Sequence, residues 1–188
     1  QHFKLDRPRP RMTDPKDLRA GAFFDRDGVI NIDHGYIGNA GRFELTQGAA
    51  QAIRLCREAG YLVFVVTNQA GVAHGLFEEE DVEALHTHMR SLLAAKGAAI
   101  DDIRYCPHHP HAKRERYRKD CAWRKPGAGM ILDIARHWPL DLARSFLVGD
   151  KASDMDAARA AGMRGFRYEN GPLDQFVADA ISHMREAA

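Results

Sequence analysis

Four short clusters in this 188-residue chain carry residue types able to do chemistry. The first is Asp25-Arg26-Asp27-Gly28-Val29. Two carboxylates two residues apart at the end of an apolar run can converge on one point, where a hard divalent cation would offset their repulsion. Gly28 lets the chain turn sharply there. The second, Thr67-Asn68-Gln69-Ala70-Gly71, offers a hydroxyl and two amides that donate to anionic oxygens without adding charge. Arg124-Lys125-Pro126 supplies two cations and a proline suited to open a helix. Gly149-Asp150-Lys151-Ala152-Ser153-Asp154 adds two carboxylates and an ammonium. Taken singly, each cluster also reads as an ordinary turn or helix cap. Each of the first, second and fourth, however, directly follows an apolar run, and chance is a poor account of that coincidence.

The elements that must position them follow from the apolar pattern. Runs at Ala22 to Phe24, Leu62 to Val66, Ile103 to Tyr105, Phe146 to Val148 and Gly165 to Tyr168 are too short for helices and read as strands. Between them lie helical periods, with Ala49, Ala52, Ile53 and Cys56 in one, Val82, Leu85, Met89 and Leu92 in the next, and Ile131, Ile134, Ala135 and Trp138 in a third. Ser153 with Asp156 at capping spacing predicts a further helix after the fourth strand. The alternation predicts an α/β fold, a doubly wound parallel sheet with helices on both faces. Ligands of such sheets bind beyond the carboxyl ends of the strands, where the clusters fall.

Composition bounds the rest. Apolar residues make up 45% and charged residues 28%, too hydrophobic a balance for a disordered chain. The formal charge of +1 gives no overall electrostatic reason to bind nucleic acid or an anionic membrane. No apolar run approaches the roughly 20 residues of a membrane span. Residues 1–19 are basic and proline-bearing without an apolar h-region, which predicts a loosely ordered arm, not a secretory signal, and hence a cytoplasmic location. Residues 20–188 are expected to form one domain with a loop insertion at about 106–123, and a monomer is compatible with this pattern.

In their order and spacing the four clusters resemble the motifs of the haloacid dehalogenase superfamily, phosphatases with an aspartate nucleophile. The strings FFDRDGVINIDHGY, VVTNQAGVAHG, CPHHP, RKPGAGM and VGDKASDM are similar to those of its heptose-bisphosphate branch, with histidinol-phosphate phosphatases as near relatives. The resemblance spans about residues 20–170 and implies a phosphoric monoester hydrolase. Asp25 would attack phosphorus to form an aspartyl-phosphate. Asp27 would protonate the leaving oxygen and then activate water. Mg²⁺ would be held by the Asp25 carboxylate, the Asp27 carbonyl and Asp150, and would shield phosphate from the nucleophile. Thr67 and Lys125 would hold the transferring phosphoryl oxygens. Asp154 would orient Lys125 or a metal-bound water. Asp33, His34, Gly35 and Tyr36 would face the sugar, with Asn68, Gln69, Arg124 and Lys151 as further contacts. No separate cap domain is expected, so three loops must shape the pocket. Arg124, Lys151 and the basic loop suit a doubly anionic phosphosugar better than an ammonium-bearing histidinol phosphate. A rival reading, a sugar-phosphate binding module without turnover, has no use for the Asp25 and Asp27 pair.

One loop departs from the family pattern. Cys106, His108 and Cys121 match three ligands of its zinc loop, but Trp123 stands where the fourth cysteine belongs, and indole has no lone pair for zinc. His109, His111 or water could complete the set. The alternative is a metal-free loop with two inert thiols. Lys113, Arg114, Arg116, Arg118 and Lys119 in the same loop read as a solvated surface run, and Cys56 as plain core.

Overall fold

The computed structural model describes residues 15–187, so the expected arm lies mostly outside the described residues. Its last part forms a 3₁₀ turn at Pro15–Asp17, and the Arg19 N–H donates to the Pro139 carbonyl at 2.8 Å. Five parallel strands follow in the spatial order β3-β2-β1-β4-β5. They are β1 (Gly21–Phe24), β2 (Leu62–Asn68), β3 (Asp102–Cys106), β4 (Phe146–Gly149) and β5 (Arg164–Arg167). The connections carry α1 (Ala49–Glu58), the single turn α2 (Ala70–Ala73), α3 (Glu79–Ala94), α4 (Gly129–His137) and α5 (Ala152–Ala160), and α6 (Leu173–Glu186) closes the chain.

Alternation along the central strands divides the core in two. Phe24, Val63 and Val65 pack with Ile53, Leu85, Met89, Val177 and Ile181 from α1, α3 and α6. Phe23, Phe64 and Val66 pack with Met130, Ile131, Ile134 and Ala157 from α4 and α5. Two covered faces are what a parallel sheet requires, and they make the central strands apolar throughout. Cys56 lies in the first core, where burial pushes its thiol up to about 12, as expected of plain core. A third cluster of Val72, Ala73, Val82, Ala112 and Tyr117 ties the long β3-to-α4 loop to α2 and α3. Among the described residues no helix is long and apolar enough to cross a membrane.

Two sequence expectations shift. α5 is not started by a Ser153 and Asp156 pair: its cap is Lys151, whose N–H donates to Asp154 Oδ2 at 3.0 Å. Pro126 does not open α4, which starts three residues later at Gly129, because Pro126 sits in a turn closed by Gly127 N–H to the Arg124 carbonyl. At the sheet centre Phe64 is fully buried between Phe23 and Trp138, with ring centroids 5.0 and 5.5 Å away. Phe64→Ala is expected to lower unfolding free energy by about 3–5 kcal/mol in urea denaturation, and a loss under about 1 kcal/mol would contradict this packing.

Candidate active site

The carboxyl edge of the sheet opens on a cleft of about 450 Å³ lined by Asp25, Asp27, Thr67, Lys125, Lys151 and Asp154 among others. Asp25 directly follows β1, which lies between β2 and β4, so residues following three adjacent strands meet there. Lys125 arrives from the β3-to-α4 loop and is fastened by Asn68. The Asn68 amide donates to the Lys125 carbonyl and accepts from its N–H, both at 3.0 Å.

Lys125 is the centre of charge. Its buried Nζ lies 2.8 Å from Asp25 Oδ1 and 2.6 Å from Asp154 Oδ1, and donates to the Val66 carbonyl at 2.9 Å. Burial disfavours the ammonium, but the two carboxylates outweigh it and hold the Lys125 pKa above its ordinary value. For Asp25 burial wins: it pushes the carboxyl up to about 6 against the pull of Lys125. Asp150 is also raised, first by burial and then by Asp154.

Carboxylate oxygens of Asp25, Asp150 and Asp154 all lie within 4.8 Å of one another. Asp154 is engaged on both sides, by Lys125 and by the Lys151 N–H, whereas buried Asp150 Oδ1 has no hydrogen-bond partner. A buried carboxylate oxygen without a donor, beside a second acid, fits a hard divalent cation held by Asp25 and Asp150. Gly28 makes room for this: at φ +82° a Cβ there would fall 2.5 Å from Asp150 Oδ2. Gly149 does the same for Asp154, whose Cβ would lie 2.2 Å away.

Asp27 is held apart from that cluster. Fully buried Arg26 grips it, with Nη2 at 2.8 and 3.0 Å from its two oxygens and Nε at 3.3 Å. Asn31 Nδ2 adds a bond at 3.0 Å and Gln69 Nε2 one at 2.9 Å. Burial works to raise Asp27, but Arg26 and these amides outweigh it and keep the carboxyl below its usual range. Gln69 Nε2 also donates to Thr67 Oγ1 at 2.8 Å, so one amide aligns both side chains.

Most residues expected to contact substrate line the cleft: Asp33, Gly35, Tyr36, Asn68, Gln69, Arg124 and Lys151. His34 does not; its Nε2 lies 3.3 Å from Glu44 on the exposed side of the loop. Asn68 and Gln69 spend their amides on Lys125, Thr67 and Asp27 and thereby hold the machinery. Tyr36 is 55% exposed at φ +44°, an uncommon conformation for a residue with a side chain, and Arg42 secures its loop by donating to the His34, Gly35 and Tyr36 carbonyls. Sequence reasoning missed Arg26, Asn31 and Arg42. The available signal was Arg26 itself, a cation between two acids at the end of a buried strand, where it had to find partners.

In the departing loop, ligand atoms of Cys106, His108 and Cys121 do converge within 4.8 Å. Burial pushes the Cys106 thiol up to about 12. His109 is not among the converging ligand atoms, and its Nδ1 accepts from the His111 N–H at 3.1 Å. Trp123 instead packs against the second core. In the basic run Arg114 and Arg116 pair with Glu78 and Arg118 donates to the Ala112 carbonyl at 2.9 Å, while Arg124 and Lys151 line the cleft with buried Lys125.

Comparison with known proteins agrees with this geometry. The family model described as HAD-hydrolase-like matches residues 122–181. The chain is 51% identical over 177 residues to the D-glycero-beta-D-manno-heptose-1,7-bisphosphate 7-phosphatase of Rhodopseudomonas palustris, covering 94% of this chain and 98% of that one. It is 44% identical over 141 residues to the protein of that name from Escherichia coli K12, covering 75% of this chain and 74% of that one. Among solved structures, the D,D-heptose 1,7-bisphosphate phosphatase of B. bronchiseptica, in complex with magnesium and phosphate, matches with a TM-score of 0.74 at 31% identity over 90% of this chain and 99% of that one. A HAD-like phosphatase of Mesorhizobium loti matches with a TM-score of 0.82 at 30% identity, over 90% and 87%. With half its residues shared with one such relative along nearly the full length of both, and with this fold and cleft, the chain belongs to the heptose-bisphosphate phosphatase family of the haloacid dehalogenase superfamily, which are phosphoric monoester hydrolases.

Proposed function

We propose that this enzyme removes the 7-phosphate of D-glycero-D-manno-heptose 1,7-bisphosphate, in the β form its relatives' names specify, through an aspartyl-phosphate. The observation that carries the reading is the Asp25, Lys125 and Asp154 cluster in the cleft of a chain 51% identical to a phosphatase of that name. An Asp25 oxygen bonds to phosphorus as the bond from phosphorus to the sugar oxygen breaks, and that oxygen takes a proton from Asp27. Water then attacks phosphorus, Asp27 takes a proton back, and the Asp25 carboxylate leaves with release of inorganic phosphate. Resting Asp27 is a carboxylate, the form that receives a proton from water. A phosphate dianion beside it favours the protonated form needed for the first step. Thr67 and Lys125 orient the phosphoryl oxygens, and Arg124 and Lys151 take the second phosphate. Asp25 and Asp150 would hold Mg²⁺, which would supply the charge that lets the two anions meet.

Phosphate release from the bisphosphate in Mg²⁺ is the direct test. Asp25→Asn is expected to abolish turnover with the fold intact by circular dichroism, and Asp27→Asn to cost roughly 10²- to 10⁴-fold in kcat. Wild-type turnover by Asp25→Asn would remove the covalent route.

Charge at the cleft sets the substrate preference. kcat/KM for the heptose bisphosphate should exceed that for histidinol phosphate, and Lys151→Ala should narrow the gap by raising KM for the bisphosphate. The opposite order would transfer the enzyme to the histidinol-phosphate reading.

For the loop, the reading includes zinc on Cys106, His108 and Cys121 with water as fourth ligand. Elemental analysis should find about one zinc per chain, and Trp123→Cys should tighten it by completing a tetrahedral set. A zinc-free protein in which Cys106→Ser is silent would leave a loop held by packing alone.

A further inference from the structure

α3 buries an apolar face of Val82, Leu85, Met89 and Leu93, and in the middle of that face stands His86. A histidine inside such a face needs a partner, and this one has found the guanidinium of Arg26. Its Nε2 lies 3.3 Å from Arg26 Nη1, both groups buried. Guanidinium can only donate, so Nε2 must present a lone pair, and the ring proton belongs on Nδ1. Burial first, and the Arg26 charge second, press His86 down to about 3, so the ring is neutral at any working pH. Arg90 adds to that pressure, Asp27 opposes it, and the Tyr105 ring meets His86 edge-on at 5.8 Å.

We infer that His86 is a positioning residue that acts through Arg26 on Asp27. Three groups share the donors of Arg26. The edge formed by Nε and Nη2 holds the Asp27 carboxylate, Nη2 also reaches the Ile37 carbonyl at 3.2 Å, and Nη1 is left to His86. Remove the acceptor and a charged donor is orphaned in a dry interior, a cost Arg26 relieves by turning toward another acceptor. The grip on Asp27 depends on the plane of that guanidinium, so Asp27 shifts with it. Arg124, Lys151 and Lys125 make no contact with His86 or the Arg26 side chain, and Thr67 meets the chain only at its far end, through Gln69. Loss of His86 should therefore act on turnover, not on substrate binding.

The inference rests on the acid and base role proposed for Asp27, and the tests separate the two. His86→Leu should lower kcat by on the order of 10- to 100-fold with KM within about twofold, the size expected for misplacing a reacting group from a distance. His86→Gln puts an amide oxygen near the position of Nε2 and should recover most of the rate. Thermal unfolding of both variants is measured alongside, since a merely structural histidine would give kcat losses that follow stability and no rescue by Gln. Equal losses in the two variants, an unchanged kcat in His86→Leu, or a rise in KM alone would each overturn the inference. If the wild type spares the heptose bisphosphate but hydrolyses another phosphomonoester, the substrate reading fails and the same comparison on that ester tests His86. A further readout needs no substrate: imidazole ¹⁵N shifts of the wild type should show His86 protonated on Nδ1 and bare on Nε2, and the reverse tautomer would sink the proposal.

Discussion

A lysine ammonium buried between two carboxylates is the interaction on which the rest of this structure depends. Moving one ion out of water costs several kcal/mol even after relaxation, and here three sit together. Lys125 is stable there because Asp25 and Asp154 lie within 2.8 Å and the Val66 carbonyl takes a further donor. Each partner is fixed by something else: Asp25 by the end of β1, Asp154 by the first turn of α5, and Lys125 by the Asn68 clasp. Gly28 and Gly149 are small because carboxylates occupy the space their side chains would need.

The cluster is nonetheless short of positive charge. Asp25, Asp150 and Asp154 face one buried ammonium, with Lys151 drawing on Asp150 from the exposed side, and burial still pushes both Asp25 and Asp150 toward their neutral forms. Asp27 escapes this because Arg26 supplies its own counter-charge from beneath. Two carboxylates two residues apart in sequence are thus placed in opposite electrostatic surroundings: one raised and waiting for a cation, the other lowered and held. Such a separation of proton affinities is how two chemically equal groups come to do different work.

Much of this was legible in the sequence, for physical reasons. The central strands announced themselves because both faces are covered, which leaves Leu62 to Val66 apolar at every position. The edge strands were harder, since Asp102, Arg104, Arg164 and Arg167 carry charge where one flank has no neighbouring strand. Three of the four clusters stood out because chemistry at a strand end needs polar residues just after an apolar run. What stayed hidden was register in three dimensions. Nothing in the spacing of Arg26 and His86, sixty residues apart, places α3 against the turn after β1. His34 was read as a sugar contact, and no spacing foretold that its ring would lie beside Glu44, in a loop whose carbonyls Arg42 holds. Ser153 and Asp156 had the spacing of a cap, and the helix began two residues sooner with Lys151 and Asp154.

The Asn68 clasp has a bearing on how such enzymes can diversify. It ties the backbone of Lys125 to the end of β2 through two bonds, like a single rung of sheet made by a side chain. The loop between Cys106 and Cys121 therefore joins the site at its two ends, the end of β3 and the stretch before the rung, and packs elsewhere on α2 and α3. Residues inserted, lost or exchanged along that span leave the ammonium where it is. The loop can be rebuilt while the phosphoryl chemistry stays put.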